Sequence, residues 1–137
     1  MGMYRRITVL FALSLVVAGV VPAPSLAATP TCKGVPATIV GTPGDDRIDG
    51  TDGDDVIVAR GGNDYVTTLG GDDLVCAGAG DDYVNLDEGG VVFGGAGDDR
   101  ISIYPGDGPV RFYGGPGDDR LSGGNGPDLL VGAAGND

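Results

Sequence analysis

From Gly41 onward, aliphatic residues return at a fixed interval. Ile48, Ile57, Val66, Val75 and Val84 stand nine residues apart, and Ile101, Val110, Leu121 and Leu130 continue the series after small irregularities. Each is preceded by a stretch rich in Gly and Asp. This interval fits neither an amphipathic helix nor a long alternating strand. A triplet centred on the aliphatic residue alternates out, in, out, as a short strand does. The in-pointing Ile, Val or Leu of each triplet would form a narrow core stack. Upstream the pattern differs: Ile7 to Val21 is an apolar run of 15 residues that follows Arg5 and Arg6. Pro22 and Pro24 break it, and Ser25-Leu26-Ala27 offers small residues for cleavage. Residues 1–27 therefore read as a secretory signal peptide, too short for a comfortable membrane span. Residues 28–40 form an N-terminal segment or cap, and residues 41–137 the repeat domain.

Aligned from Gly41, the blocks read GTPGDDRID, GTDGDDVIV, ARGGNDYVT, TLGGDDLVC, AGAGDDYVN, the short LDEGGVVF, GGAGDDRIS and IYPGDGPVR. Phe112 and Tyr113 then stand as two extra residues before GGPGDDRLS, GGNGPDLLV and the incomplete GAAGND. Position 4 is Gly in all eleven blocks, and position 6 is Asp in nine. In the short block, Val92 and Phe93 compete for the core position. With 28 Gly and 9 Pro, a chain without a period would read as disordered, so the period decides for a fold.

Charge sharpens the chemistry. All 20 acidic residues follow residue 27 with six of the eight basic ones, a charge near −14. That balance disfavours nucleic acid and anionic membrane surfaces and favours cations. Calcium takes six to eight oxygen ligands, mixing carboxylates with backbone carbonyls. Glycine lets a turn adopt positive φ and aim carbonyls inward.

The eleven blocks match the nonapeptide G-G-x-G-x-D-x-U-x, so residues 41–137 resemble the RTX, or hemolysin-type calcium-binding, family. The resemblance implies an all-β, right-handed parallel β-roll of about ten repeats. Two repeats make one coil, and Ca²⁺ sits between stacked turns. If alternate blocks stack, the odd side carries Asp46, Asp64, Asp82, Asp99, Asp119 and Asp137 without a gap, up to five sites. The even side carries Asp55 and Asp73, one good site, then Val91 and Gly108 in place of Asp, then an unpaired Asp128. This requires that the short block and the insertion do not swap sides. The position-5 acids (Asp45, Asp54, Asp72, Asp81, Asp98, Asp107 and Asp118) match a variable position and read as solvated turn residues or, alternatively, as ligands. Because neighbouring carboxylates repel and the core is thin, the chain is expected to be disordered without calcium and folded with it.

The outward positions separate as well. Odd blocks carry Arg47/Asp49, Tyr65/Thr67, Tyr83/Asn85, Arg100/Ser102 and Arg120/Ser122, a polar face. Even blocks carry Val56/Val58, Leu74/Cys76, Val91 or Val92 near Phe93, Pro109/Arg111 and Leu129/Val131. That largely apolar face is a candidate contact for a protein partner, or merely strand propensity. A Cys32–Cys76 disulfide would pin the N-terminal segment over it; free thiols or intermolecular pairing are the alternatives. Thr38-Ile39-Val40 fits the strand of an additional leading block.

Catalysis finds little support: there is no His, no G-x-S-x-G and no H-E-x-x-H. The sequence reads as a secreted calcium-binding repeat protein with a structural or extracellular interaction role and no enzyme activity. A fragment of a larger secreted enzyme or toxin, or an adhesion or self-assembly module, are the alternatives.

Overall fold

A computed structural model describes residues 28–104 and 106–137, and every regular element in it is a strand. The expected signal peptide lies outside the described residues. Strands β1 (Thr31–Cys32) and β2 (Val35–Pro36) pair antiparallel around a two-residue turn. Lys33 and Gly34 both take positive φ there, as a tight hairpin of this length demands. The remaining strands fall alternately into two parallel sheets. The first holds β4 (Arg47–Asp49), β6 (Tyr65–Thr67), β8 (Tyr83–Leu86), β10 (Arg100–Ile103) and β12 (Arg120–Ser122). The second holds β3 (Ile39–Val40), β5 (Val56–Gly61), β7 (Asp72–Ala79), β9 (Gly89–Ala96), β11 (Val110–Pro116) and β13 (Leu129–Ala134).

Odd blocks thus supply one sheet and even blocks the other throughout, so neither irregularity swaps sides. Each coil of this parallel β-solenoid contributes one strand to each sheet. Between them lies a single file of buried aliphatics: Ile48, Ile57, Val66, Val75, Val84, Val92 and Ile101, with Ile39 and Leu121 packed against its ends.

Two registers differ from the sequence reading. Phe112 and Tyr113 are not extra residues. They lie within β11, opposite Val92 and Phe93, and Phe112 is fully buried. The extra length is taken up ahead of β11, because Phe112 in the core slot buries far more apolar surface than Val110 there would. Val92, not Phe93, fills the core position of the short block. It follows that Gly90 and Val110, not Val91 and Gly108, occupy the position-6 column, since Val110 pairs with Gly90 and Gly90 with Asp73. The outward pair of the eighth block is likewise Arg111/Tyr113, not Pro109/Arg111.

On the odd face, Tyr65 and Tyr83 stack at 4.9 Å, with the Arg47 guanidinium 4.7 Å from the Tyr65 ring. On the even face, Phe93 and Tyr113 stack at 4.8 Å. The hairpin lies over this face. Cys32, fully buried, is disulfide-bonded to Cys76 of β7, and the Lys33 ammonium stands 4.1 Å above the Phe93 ring.

Backbone approach between coils leaves no room for side chains at several turns. A Cβ on Gly95 would run into the Gly78 carbonyl, and its φ of +124 already disfavours any L-residue. Gly95→Ala is expected to cost at least about 2 kcal/mol and to lower the calcium-loaded melting temperature accordingly, read by circular dichroism. Replacing Cys32 and Cys76 together by Ser opens a bridge spanning 44 positions. A loss of about 2–4 kcal/mol is expected, read by chemical denaturation in calcium.

Candidate metal centre

The turns that close each coil carry the acidic column. Asp64, Asp82, Asp99 and Asp119 are each at most 2 % exposed, as is Asp73 on the even side. Their orientation is set by one repeated bond: the backbone N–H of each position-6 residue donates to Oδ1 of the Asp one coil further on. Asp46 N–H meets Asp64 at 2.8 Å, Asp64 meets Asp82 at 2.8 Å, and Asp82 meets Asp99 at 2.9 Å. Asp99 then meets Asp119 at 2.9 Å and Asp119 meets Asp137 at 3.1 Å. On the even side Asp55 N–H meets Asp73 at 2.9 Å.

That bond satisfies only one oxygen. Oδ2 of Asp64, Asp73, Asp82, Asp99 and Asp119 is buried with no hydrogen-bond partner. Thr68 Oγ1, in the turn leading to Asp73, is equally buried and unpartnered. An orphaned carboxylate oxygen in the interior is costly, and a run of them demands an outside partner. Among the described residues no three acidic or cysteine side chains converge on one point. A cation here would therefore have to draw on one or two carboxylates plus backbone carbonyls, a donor set that suits calcium. The turn backbone is built for this. Positions 2 and 4 of the odd turns take positive φ together at Arg60/Gly62, Gly78/Gly80, Gly95/Gly97, Gly115/Gly117 and Ala133/Gly135. Arg60 and Ala133 do so without being glycine, strain of the kind that collects at functional sites.

Burial dominates the electrostatics. It lifts Asp82 to about 6 and Asp99 to about 7, with neighbouring carboxylates pushing the same way against their backbone hydrogen bonds. Asp64 and Asp119 are raised for the same reasons; Asp73 is raised by burial against the opposing pull of the nearby Thr68 hydroxyl and of the Asp55 N–H. Asp55 behaves differently. Burial opposes its charge, but hydrogen bonds from Thr51 and Thr38 outweigh it and hold the carboxyl below its ordinary value.

A family model described as the RTX calcium-binding nonapeptide repeat matches in four copies, over residues 40–75, 60–90, 91–102 and 111–137. The chain belongs to this family. RTX nonapeptide repeats bind Ca²⁺, and the parallel solenoid fits their β-roll. No curated protein and no solved structure gives a significant match.

The structure places the RTX site residues expected from sequence in two columns. The odd column runs unbroken from Asp46 to Asp137. The even column holds Asp55 and Asp73, then Gly90 and Val110, then Asp128, whose Oδ1 accepts from Val110 N–H at 3.3 Å. The position-5 side chains are exposed but not merely solvated. Asp45, Asn63, Asp81, Asp98 and Asp118 each accept through Oδ1 from the backbone N–H of the next coil, at 2.8 to 3.0 Å. Sequence reading missed the threonines Thr38, Thr42 and Thr51. Their signal was present: position 2 is Thr only in the first two blocks.

Raised carboxyl values mean that the folded, metal-free chain binds more protons than the unfolded one near neutrality. Its stability therefore rises as pH falls from about 7 toward about 4, and is lost on the way back up. With calcium present the sign reverses, because protons compete for the same oxygens. The β-content read by circular dichroism at pH 5 and pH 8 is expected to show these opposite trends, higher at pH 5 in chelator and higher at pH 8 at a subsaturating calcium concentration.

Proposed function

We propose that this chain is a secreted β-roll held together by calcium between its turns, with a structural or extracellular interaction role rather than a catalytic one. The observation that carries this is the column of buried carboxylates whose second oxygens have no partner in the protein. Asp64, Asp82, Asp99 and Asp119, with Asp137 closing the odd column, are the residues to hold calcium, and Asp73 is the even-side candidate. Asp46 and Asp55 head the two columns. When bound, calcium supplies the positive charge that turns repulsion between stacked carboxylates into attraction. The chain contributes oriented Oδ2 atoms, turns of positive φ that can direct carbonyls, and the Asp N–H to Oδ1 bonds that fix each carboxylate.

Secretion is supported by the leader-like residues 1–27 and by the Cys32–Cys76 bridge, which persists in oxidising compartments. Extracellular calcium lies within the range that weak modular sites require. No helix among the described residues is long and apolar enough to cross a membrane. A second reading concerns the even face. The hairpin covers it around Cys76 and Phe93, while Leu129 and Val131 remain 46 % and 38 % exposed. That remainder suits contact with a protein partner, and light scattering of the oxidised, calcium-loaded chain checks for self-association.

Circular dichroism during a calcium titration tests the main reading. A steep gain of β-structure is expected, reversed by chelator and much weaker with magnesium, whose coordination is smaller and stricter. Asp82→Ala is expected to weaken calcium response by about tenfold or more. Asp45→Ala, which removes only an exposed backbone contact, is expected to shift it by less than about threefold. Equal effects would remove position 6 as the ligand column.

A further inference from the structure

The two turns of the first coil are built differently from those that follow. In the first odd turn, Thr42 N–H donates to Asp46 Oδ2 at 2.6 Å and the Thr42 hydroxyl reaches the same oxygen at 3.1 Å. In the first even turn, Thr51 N–H and hydroxyl meet Asp55 Oδ2 at 2.7 and 2.9 Å. Thr38 donates to Asp55 Oδ1 at 2.9 Å, taking the place that a preceding coil's backbone N–H would fill. Asp55 is as deeply placed as its successors, at 5 % exposed, yet both its oxygens are satisfied from within the chain. Every later buried position-6 Asp, from Asp64 to Asp119, has an orphaned Oδ2.

Backbone conformation marks the same boundary independently. On the odd side positive φ appears at positions 2 and 4 from Arg60 and Gly62 onward, and at neither Thr42 nor Gly44. Where later odd turns swing position 2 into the left-handed region, Thr42 instead turns its N–H inward onto the carboxylate, as Thr51 does on the even side. The hydroxyls also accept from Gly44 and Gly53 N–H at 3.3 Å, which closes each turn on itself.

We infer that the first coil is a metal-free cap: Asp46 and Asp55 are held by threonines rather than by calcium, and the coil folds without the ion to seed the rest. This rests on the calcium reading above and revises the two N-terminal members of its ligand columns. On the odd side the sites then lie in the four gaps between the five turns of positive φ, from Arg60 to Ala133. The cap has its own support. Ile39, Ile48 and Ile57 pack together in it, and the Cys32–Cys76 bridge ties the preceding hairpin to the next even strand. In a solenoid each coil contacts only its neighbours, and folding starts at whichever coil meets the nucleation cost most easily. A preformed edge of strands removes that cost for every coil that follows, and gives calcium-driven winding a direction from the N-terminal end.

The test uses the oxidised chain from residue 28, with calcium alone as ligand. Native mass spectrometry counts bound ions, and hydrogen exchange in chelator reads the cap. Asp46→Asn and Asp55→Asn are expected to keep the wild-type number of ions, while Asp82→Asn and Asp99→Asn each lose at least one. In chelator, the amides of Thr42 and Thr51 are expected to exchange at least about tenfold more slowly than those of Asp82 and Asp99. Thr42→Val with Thr51→Val is expected to abolish that protection with ion count unchanged. An ion lost from Asp46→Asn or Asp55→Asn overturns the inference, and so does uniform exchange along the chain in chelator. Wild-type protein that binds no calcium at all removes the underlying reading, a result distinguishable from either of these.

Discussion

One buried carboxylate bond, repeated down the molecule, sets the terms for everything else. Asp64, Asp73, Asp82, Asp99 and Asp119 each give one oxygen to the backbone of the coil before and have no partner in the protein for the other. The bond fixes register between coils, because it works only when the acidic column is in line. It also holds the free oxygens in the interior, where like charges stack with too little water to screen them. The core cannot offset this. Ile48, Ile57, Val66, Val75, Val84, Val92 and Ile101, thickened only in the middle by Leu86, Ile103, Val110 and Phe112, make a narrow spine for so many ordered turns. On the proposed function, calcium supplies the missing cohesion and folding follows its concentration.

The even side shows what happens where that arrangement is relinquished. In the middle coils the position-6 column holds Gly90 and Val110, and the adjoining inward positions change with it. Where other blocks place Gly, Ala or Thr beside the carboxylate, these place Leu86 and Ile103, both buried. A Cβ at Gly90 would meet the Asp73 carbonyl oxygen at 2.5 Å and Leu86 Cδ2 at 2.9 Å, so the glycine is required by the backbone approach as well as beside the leucine. With Val110 and Phe112 they widen the spine into an apolar plug. A charged site has been exchanged for hydrophobic packing at the level where the chain also departs from its nine-residue count. The two sides of one coil therefore use different physics at the same height.

Much of this was legible in the sequence because the period is rigid. A column of Gly, one of Asp and one of aliphatics suffice to specify turn, ligand and strand. The alternation of sides comes with the family resemblance, and the Cys32–Cys76 contact is suggested by an even cysteine pair and the contrast between outward residues. What escaped was local register at the two irregular blocks. Counting from Gly106 placed Val110 opposite Val92, whereas Phe112 takes that slot and Val110, also buried, faces Gly90, with the slack moved ahead of the strand. The threonine-closed turns escaped for another reason. Thr42 and Thr51 look like ordinary turn residues until hydrogen bonds show which oxygen each one occupies. The position-5 acids were misjudged in the same way, since exposure says nothing about whether an oxygen reaches the next coil's N–H.

The disulfide has a mechanical corollary. Cys32 lies ahead of the first coil and Cys76 in the second even strand to follow it, 44 positions on. A pull applied at the N-terminal end passes through the sulfur–sulfur bond straight into β7. Residues 33 to 75 hang outside that load path as a slack loop. The earliest coils are thus shielded from tension so long as the bridge is oxidised, and stretching force enters the solenoid where its stack of strands is already established on both flanks.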